Sequence, residues 1–218
     1  MLQLMYQGQW ALFLLIVIAL IISLSFHEYG HAVCAKYFGD DTAQKLGRLT
    51  LNPVAHIDPM GLLMVVLIGF GYAKPVPTDP RNFNSRWATP LVAAAGPAMN
   101  LLLACISINL YVIGLNAGWE VFAGSGPQFF FTFLALINLL LMVFNLIPLG
   151  PLDGHYIMPY FLPTAMAKKY LYYNARYGNY LFLGLVLLSL AGLPIFKYVR
   201  QVGETILPLI IFVRSGLN

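Results

Sequence analysis

The chain has 218 residues, 60% of them hydrophobic and only 9% charged, where soluble domains carry about 25% charged residues. That balance excludes an ordinary soluble protein and points to an integral membrane protein. The formal charge of +4 then reads as topology and contact with anionic lipid, not as a nucleic-acid surface.

The length suits one domain over residues 1–218, because no internal repeat, low-complexity tract or linker divides it. The opening MLQLMYQGQW lacks the basic start and small-residue cleavage site of a signal peptide, so the first helix is expected to stay attached. From Trp10 to Phe26 only Ser23 and Ser25 are polar, which predicts a helix from about Trp10 to Phe38. GLLMVVLIGFGYAKPVP, Gly61 to Pro77, offers only about ten apolar residues before its glycines, too few to span. With Val65, Val66 and Ile68 favouring extended structure, a re-entrant hairpin or loop is expected there, and a short buried helix is the alternative.

Ala88 to Leu115 is the second full span, rich in small residues that admit a close neighbour. Phe129 to Ile147 is the third, ended by Pro148 and Gly150. Gly178 to Phe196 reads as a fourth, preceded by an interfacial belt of Tyr170, Tyr172, Tyr173, Tyr177 and Tyr180. Ile206 to Val213 is too short to cross and is expected to lie in the interface or dip in. The predicted fold is therefore an all-α polytopic membrane protein. Its core covers about 10–154 and its C-terminal membrane segments about 170–214, with a short re-entrant β-type loop between the first two full spans. Cys34 and Cys105 sit in apolar runs, as small hydrophobes and not as a disulfide pair.

Lysine and arginine concentrate between Lys36 and Arg86 and again at Lys168, Lys169 and Arg176, while Asn116 to Gln128 has none. By the positive-inside rule the first two regions face the cytoplasm, in what is expected to be the cell membrane, and the N-terminus lies outside. The cytoplasmic half of the first helix reads SLSFHEYGHAVCAKYFGD. His27 and His31 are four apart and share one helix face, a placement that suits one Zn²⁺ held by neutral imidazoles, while Glu28 is available to take a proton from a water. A carboxylate in a spanning helix costs about 2.5–3.5 kcal/mol on insertion scales, so its presence there marks a functional site by default.

A hydrolytic zinc site needs a third protein ligand and an open position. Apart from Glu28, Asp153 is the acidic residue best placed to reach the histidines, standing in NLIPLGPLDG just beyond the third span on the cytoplasmic side. His155 and His56 are its rivals, the first by a tight turn, the second if NPVAHIDP folds back.

HEYGH, GRLTLNPVAHIDP, GFGYAKPVP, AGPAMN and NLIPLGPLDG, in that order, resemble the site-2 proteases, intramembrane zinc metalloproteases, over about Ser23 to Gly154. The resemblance implies His27, His31 and Asp153 as ligands of one zinc, Glu28 as general base, and Asn145 as a polar group near a bound substrate. It also implies a three-helix catalytic core and an edge strand that holds a transmembrane substrate extended, for which Gly61 to Pro77 is the candidate. No insertion is large enough for the PDZ domain of some members, so the chain resembles a compact one. Pro97 and Asn100 are expected to shape and pack the second span. Two other classes stand beside the protease: a transporter, which would show repeated halves and broken helices, and a non-catalytic relative, which would have lost a ligand or the base. The sequence names neither the substrate nor the oligomeric state.

Overall fold

The computed structural model describes residues 1–68, 71–193 and 195–213. Ten helices follow in chain order among them: α1 (Leu2–Tyr6), α2 (Trp10–Tyr37), α3 (Thr42–Lys45), α4 (Pro53–His56), α5 (Pro59–Ile68), α6 (Ala88–Asn116), α7 (Ser125–Asn145), α8 (Gly154–Ile157), α9 (Thr164–Leu190) and α10 (Ile195–Ile206). No strand occurs among the described residues; the extended pairing they show is one antiparallel bridge between Ile57 and Ala73.

Three helices, α2, α6 and α7, are long and apolar enough to cross a membrane, and they match the three predicted core spans to within a few residues. Their sequence explains the fit. An apolar segment in lipid must satisfy its backbone internally, and Ser23 and Ser25 do the same with their hydroxyls, donating to Ala19 O and Ile21 O at 2.7 Å each. The second span's small residues bring α6 against α2 at backbone distance: a Cβ on Gly30 would lie 2.6 Å from Ala95 O. Pro97 sits inside α6, buried, without ending it. α6 thus packs between α2 and α7 at the centre of the molecule.

A buried polar network fastens these three helices together. Asn138 of α7 donates to Ser23 Oγ of α2 at 2.8 Å, and Asn100 of α6 donates to Asn138 Oδ1 at 2.7 Å and to Ser23 O at 3.2 Å. Both asparagines are wholly buried, and every donor is paired, as such a network requires in an apolar surrounding.

Two expectations change. Residues 61–68 belong to α5, so the hairpin expected there is replaced by the short helix. Without a partner strand the run satisfies its backbone within one helical segment. Gly69 and Phe70 lie outside the described residues, and 71–79 is neither helix nor strand apart from the bridge at Ala73. The fourth apolar run is not Gly178 to Phe196: α9 starts at Thr164 and stops at Leu190, turned by Gly192 at φ +104°. The last apolar piece forms a 3-10 turn, Leu207–Ile210, and the backbone of Ile210, Phe212 and Val213 pairs with Asn109 of α6. Its amide donates to Ile210 O at 2.7 Å, and its oxygen accepts from Phe212 N–H at 2.8 Å.

Candidate metal centre

Two helix faces and one turn build the site. One helical turn separates His27 from His31 on α2, and their rings stand edge to face with centroids 4.7 Å apart. Gly96 of α6 makes room for them, since a Cβ there would overlap His31 Nε2 and His27 Cε1. Asp153 arrives from the turn after α7, which Gly150 allows with φ +59° and Gly154 with a backbone so close to Leu146 O that no Cβ fits. His27 Nε2 lies 3.2 Å from Asp153 Oδ2, His31 Nε2 lies 3.4 Å from Asp153 Oδ1, and the two Nε2 atoms are 3.1 Å apart.

The outer nitrogens decide what the inner ones present. Asn100 commits its NH₂ to Ser23 O and Asn138 Oδ1, so its oxygen faces His27 Nδ1 at 2.6 Å and accepts from it. His31 Nδ1 faces the carbonyl of Val92 at 2.7 Å, which only accepts. Each neutral ring therefore carries its proton on Nδ1 and aims an Nε2 lone pair inward. Two imidazole lone pairs and a carboxylate converge, and Asp153 Oδ2 is buried with no hydrogen-bond donor. Three acceptors so close repel unless a cation lies between them. Tetrahedral N and O ligands of a zinc ion would stand roughly 3.3–3.5 Å apart, and the observed separations lie within about 0.2 Å of that range.

Glu28 is next to His27 and 8% exposed. Its Oε2 accepts from Val76 N–H at 2.8 Å, which fixes one carboxylate oxygen. Val76 belongs to the non-helical stretch that follows α5, and that stretch is tied down at both ends. Lys74 N–H donates to His56 O at 2.8 Å and Lys74 O accepts from Arg48, while Asp79 N–H donates to Asp40 Oδ2 at 2.7 Å. Asp40 is wholly buried. Burial alone would raise its carboxyl, but the donors of Thr42, Asn82 and Asp79 hold it below its usual range.

His27, His31, Asp153 and Glu28 all come from the predicted set, and the structure brings the first three together as a group able to hold a metal ion. His56 and His155 do not join them: His56 Nε2 bonds Thr50 O at 2.7 Å, and His155 turns back to Leu152 O at 3.1 Å. Asn145 closes α7 with its amide donating to Leu141 O at 2.9 Å. No hydrogen bond among the described residues ties it to the group. Asn100 does more than pack the span. Its signal was present in the sequence, since an asparagine in an apolar helix needs partners, but the partner lies 73 residues away.

The model of peptidase family M50 matches residues 15–117 and 111–190. The chain belongs to peptidase family M50. It is a membrane-embedded zinc metallopeptidase associated with the lipid bilayer, as the family, the three spans and the His-His-Asp group together require. Among M50 relatives, a Bacillus subtilis protein named "Putative zinc metalloprotease YwhC" is 41% identical over 89% of this chain and 90% of its own length. Another, "Putative zinc metalloprotease Rip2" of Mycolicibacterium smegmatis, is 35% identical over 66% of this chain and 55% of its own length. No solved structure matches.

As an M50 site, the histidine-orienting shell gives a measurable expectation. Removing such an outer partner costs about 10- to 100-fold in metal affinity. Asn100→Ala is therefore expected to weaken zinc binding by that factor in chelator competition, while Asn100→Asp, which keeps the acceptor, weakens it less. Equal affinities for Asn100→Ala and wild type would remove the residue from the site.

Proposed function

We propose that this chain hydrolyses peptide bonds within or near transmembrane segments of membrane protein substrates, with one zinc held by His27, His31 and Asp153. The observation that carries the reading is the convergence of three acceptors at 3.1–3.4 Å beside a glutamate, on a helix built to cross a bilayer. Zinc, when bound, supplies a Lewis acid that polarises the scissile carbonyl and acidifies water.

The chain's own residues supply the rest. Glu28 accepts a proton from the attacking water and returns it to the leaving amine. Asn100 and Val92 hold the imidazoles in the tautomer that leaves Nε2 free. Asn145, at the end of α7, is assigned to hydrogen-bonding the substrate or the tetrahedral oxygen, as the family resemblance implies. A helical substrate hides its carbonyls in intrahelical bonds, so it must unwind, and within the candidate Gly61 to Pro77 the non-helical part from Gly71 on, beside Glu28, is proposed as its strand partner. The site is assigned to the cytoplasmic side of the cell membrane from the distribution of lysine and arginine.

Single-span peptides in vesicles test the activity. Cleavage within the span, abolished by a zinc chelator and restored by zinc, is expected; peptides left intact by the zinc-loaded protein would contradict it. Topology is tested separately in a Cys34→Ser, Cys105→Ser background. Ser125→Cys is expected to react with an impermeant thiol reagent from outside the cell and Asn84→Cys to stay protected. The reverse pattern would invert the orientation.

A further inference from the structure

Asp153 is the third acceptor of the group, on a turn that leaves α7 and leads into α8, which packs on α6. The turn is held from α9 as well. Asn174 uses its whole carboxamide on one residue of that turn: Gly150 N–H donates to Asn174 Oδ1 at 3.0 Å, and Asn174 Nδ2 donates to Gly150 O at 3.4 Å. Beside it, Tyr170 Oη donates to Pro148 O at 3.0 Å. The backbones meet there without side chains between them. A Cβ on Gly150 would lie 2.8 Å from Gly178 O, and one on Gly178 would lie 3.0 Å from the Gly150 Cα and 2.6 Å from Asn174 Oδ1. Gly178 is buried in an otherwise exposed stretch of α9, where a glycine serves close approach and little else.

We infer that Asn174 is a positioning residue for the metal centre: with Gly178 it docks α9 onto Gly150 and so fixes Asp153 against His27 and His31. An amide that pairs both backbone groups of one residue acts as a strand neighbour would, so it restrains the rotation of Gly150, three residues before the carboxylate. At φ +59° the turn uses a conformation that favours glycine, the residue with the widest backbone freedom. Left unpaired, this glycine, with its wide backbone freedom, would let Asp153 drift from a geometry that metal ligands tolerate only within a few tenths of an ångström. This inference rests on the proposed ligand set.

The test measures zinc affinity of the purified full chain in detergent by chelator competition. It is paired with the absorption bands of the cobalt-substituted protein and with the melting temperature of the metal-free form. Asn174→Ala is expected to bind zinc at least about tenfold more weakly, with altered cobalt bands and an unchanged metal-free melting temperature. Asn174→Asp, which keeps the acceptor for Gly150 N–H, is expected to recover most of the affinity. If Asn174→Ala does not fold, Asn174→Leu, close in volume and unable to pair Gly150, replaces it. Wild-type affinity in Asn174→Ala or its replacement, or a metal-free melting temperature that falls in step with affinity, would overturn the inference. Asp153→Ala separates the two levels. Zinc retained by it sinks the ligand set, whereas zinc lost by it but held normally by Asn174→Ala sinks only the role of Asn174.

Discussion

Glu28→Gln is expected to keep its zinc and to cleave roughly a thousandfold more slowly than wild type, within the range that a positioned acid–base group contributes. The amide is nearly isosteric with the carboxylate, and its oxygen still accepts from Val76 N–H, the contact that now fixes Oε2 at 2.8 Å. The fold around α2 and the stretch 71–79 is therefore preserved. The three converging acceptors are untouched, because Glu28 is not among them. What disappears is a base able to take a proton from water. Metal content and single-turnover cleavage, measured on one preparation, separate these effects, and wild-type cleavage by Glu28→Gln would move the base elsewhere.

His31→Ala is expected to lose metal and activity together, with zinc affinity lower by well over a hundredfold, since the loss of a ligand exceeds the loss of an outer partner. The physical reason lies in the packing. His31 is held by Val92 O on one side and faces His27 and Asp153 on the other, and Gly96 leaves no side chain to fill the gap. Removing the ring leaves Asp153 and one imidazole in a half-buried pocket, with too few ligands for a structural or catalytic zinc site. Metal analysis after dialysis against a weak chelator checks this. A His31→Ala protein that retains zinc would show that the ring packs beside the site without entering it.

Parts of this molecule were legible in its sequence for reasons that physics makes plain. A four-residue spacing on a helix forces His27 and His31 onto one face, and lipid makes Glu28 too costly to be accidental. The spans followed from unbroken apolar runs of bilayer length. Local pattern failed where tertiary context chose between two satisfactory answers. The Val-rich run after Pro59 satisfies its backbone as α5 just as well as it would in a hairpin, and periodicity does not distinguish them in so short a stretch. α9 was mis-bounded because its polar first half, Thr164 to Tyr177, hides a helix that extends beyond the apolar part. Asn100, Asn138 and Asn174 share one reason for being underread. Each is a lone amide whose meaning is its partner, and those partners lie 24 to 115 residues away.

The most direct measurement is the zinc-to-protein ratio of Asp153→Ala set beside that of wild type and of Glu28→Gln, all purified without added chelator. Asp153 is the residue that only the fold brings to the histidines, 3.2 Å from His27 and 3.4 Å from His31, so it tests the geometry and not the motif. The expected result is one zinc per chain in wild type and in Glu28→Gln and almost none in Asp153→Ala. Full zinc content in Asp153→Ala would contradict the account and return the third ligand to His56 or His155.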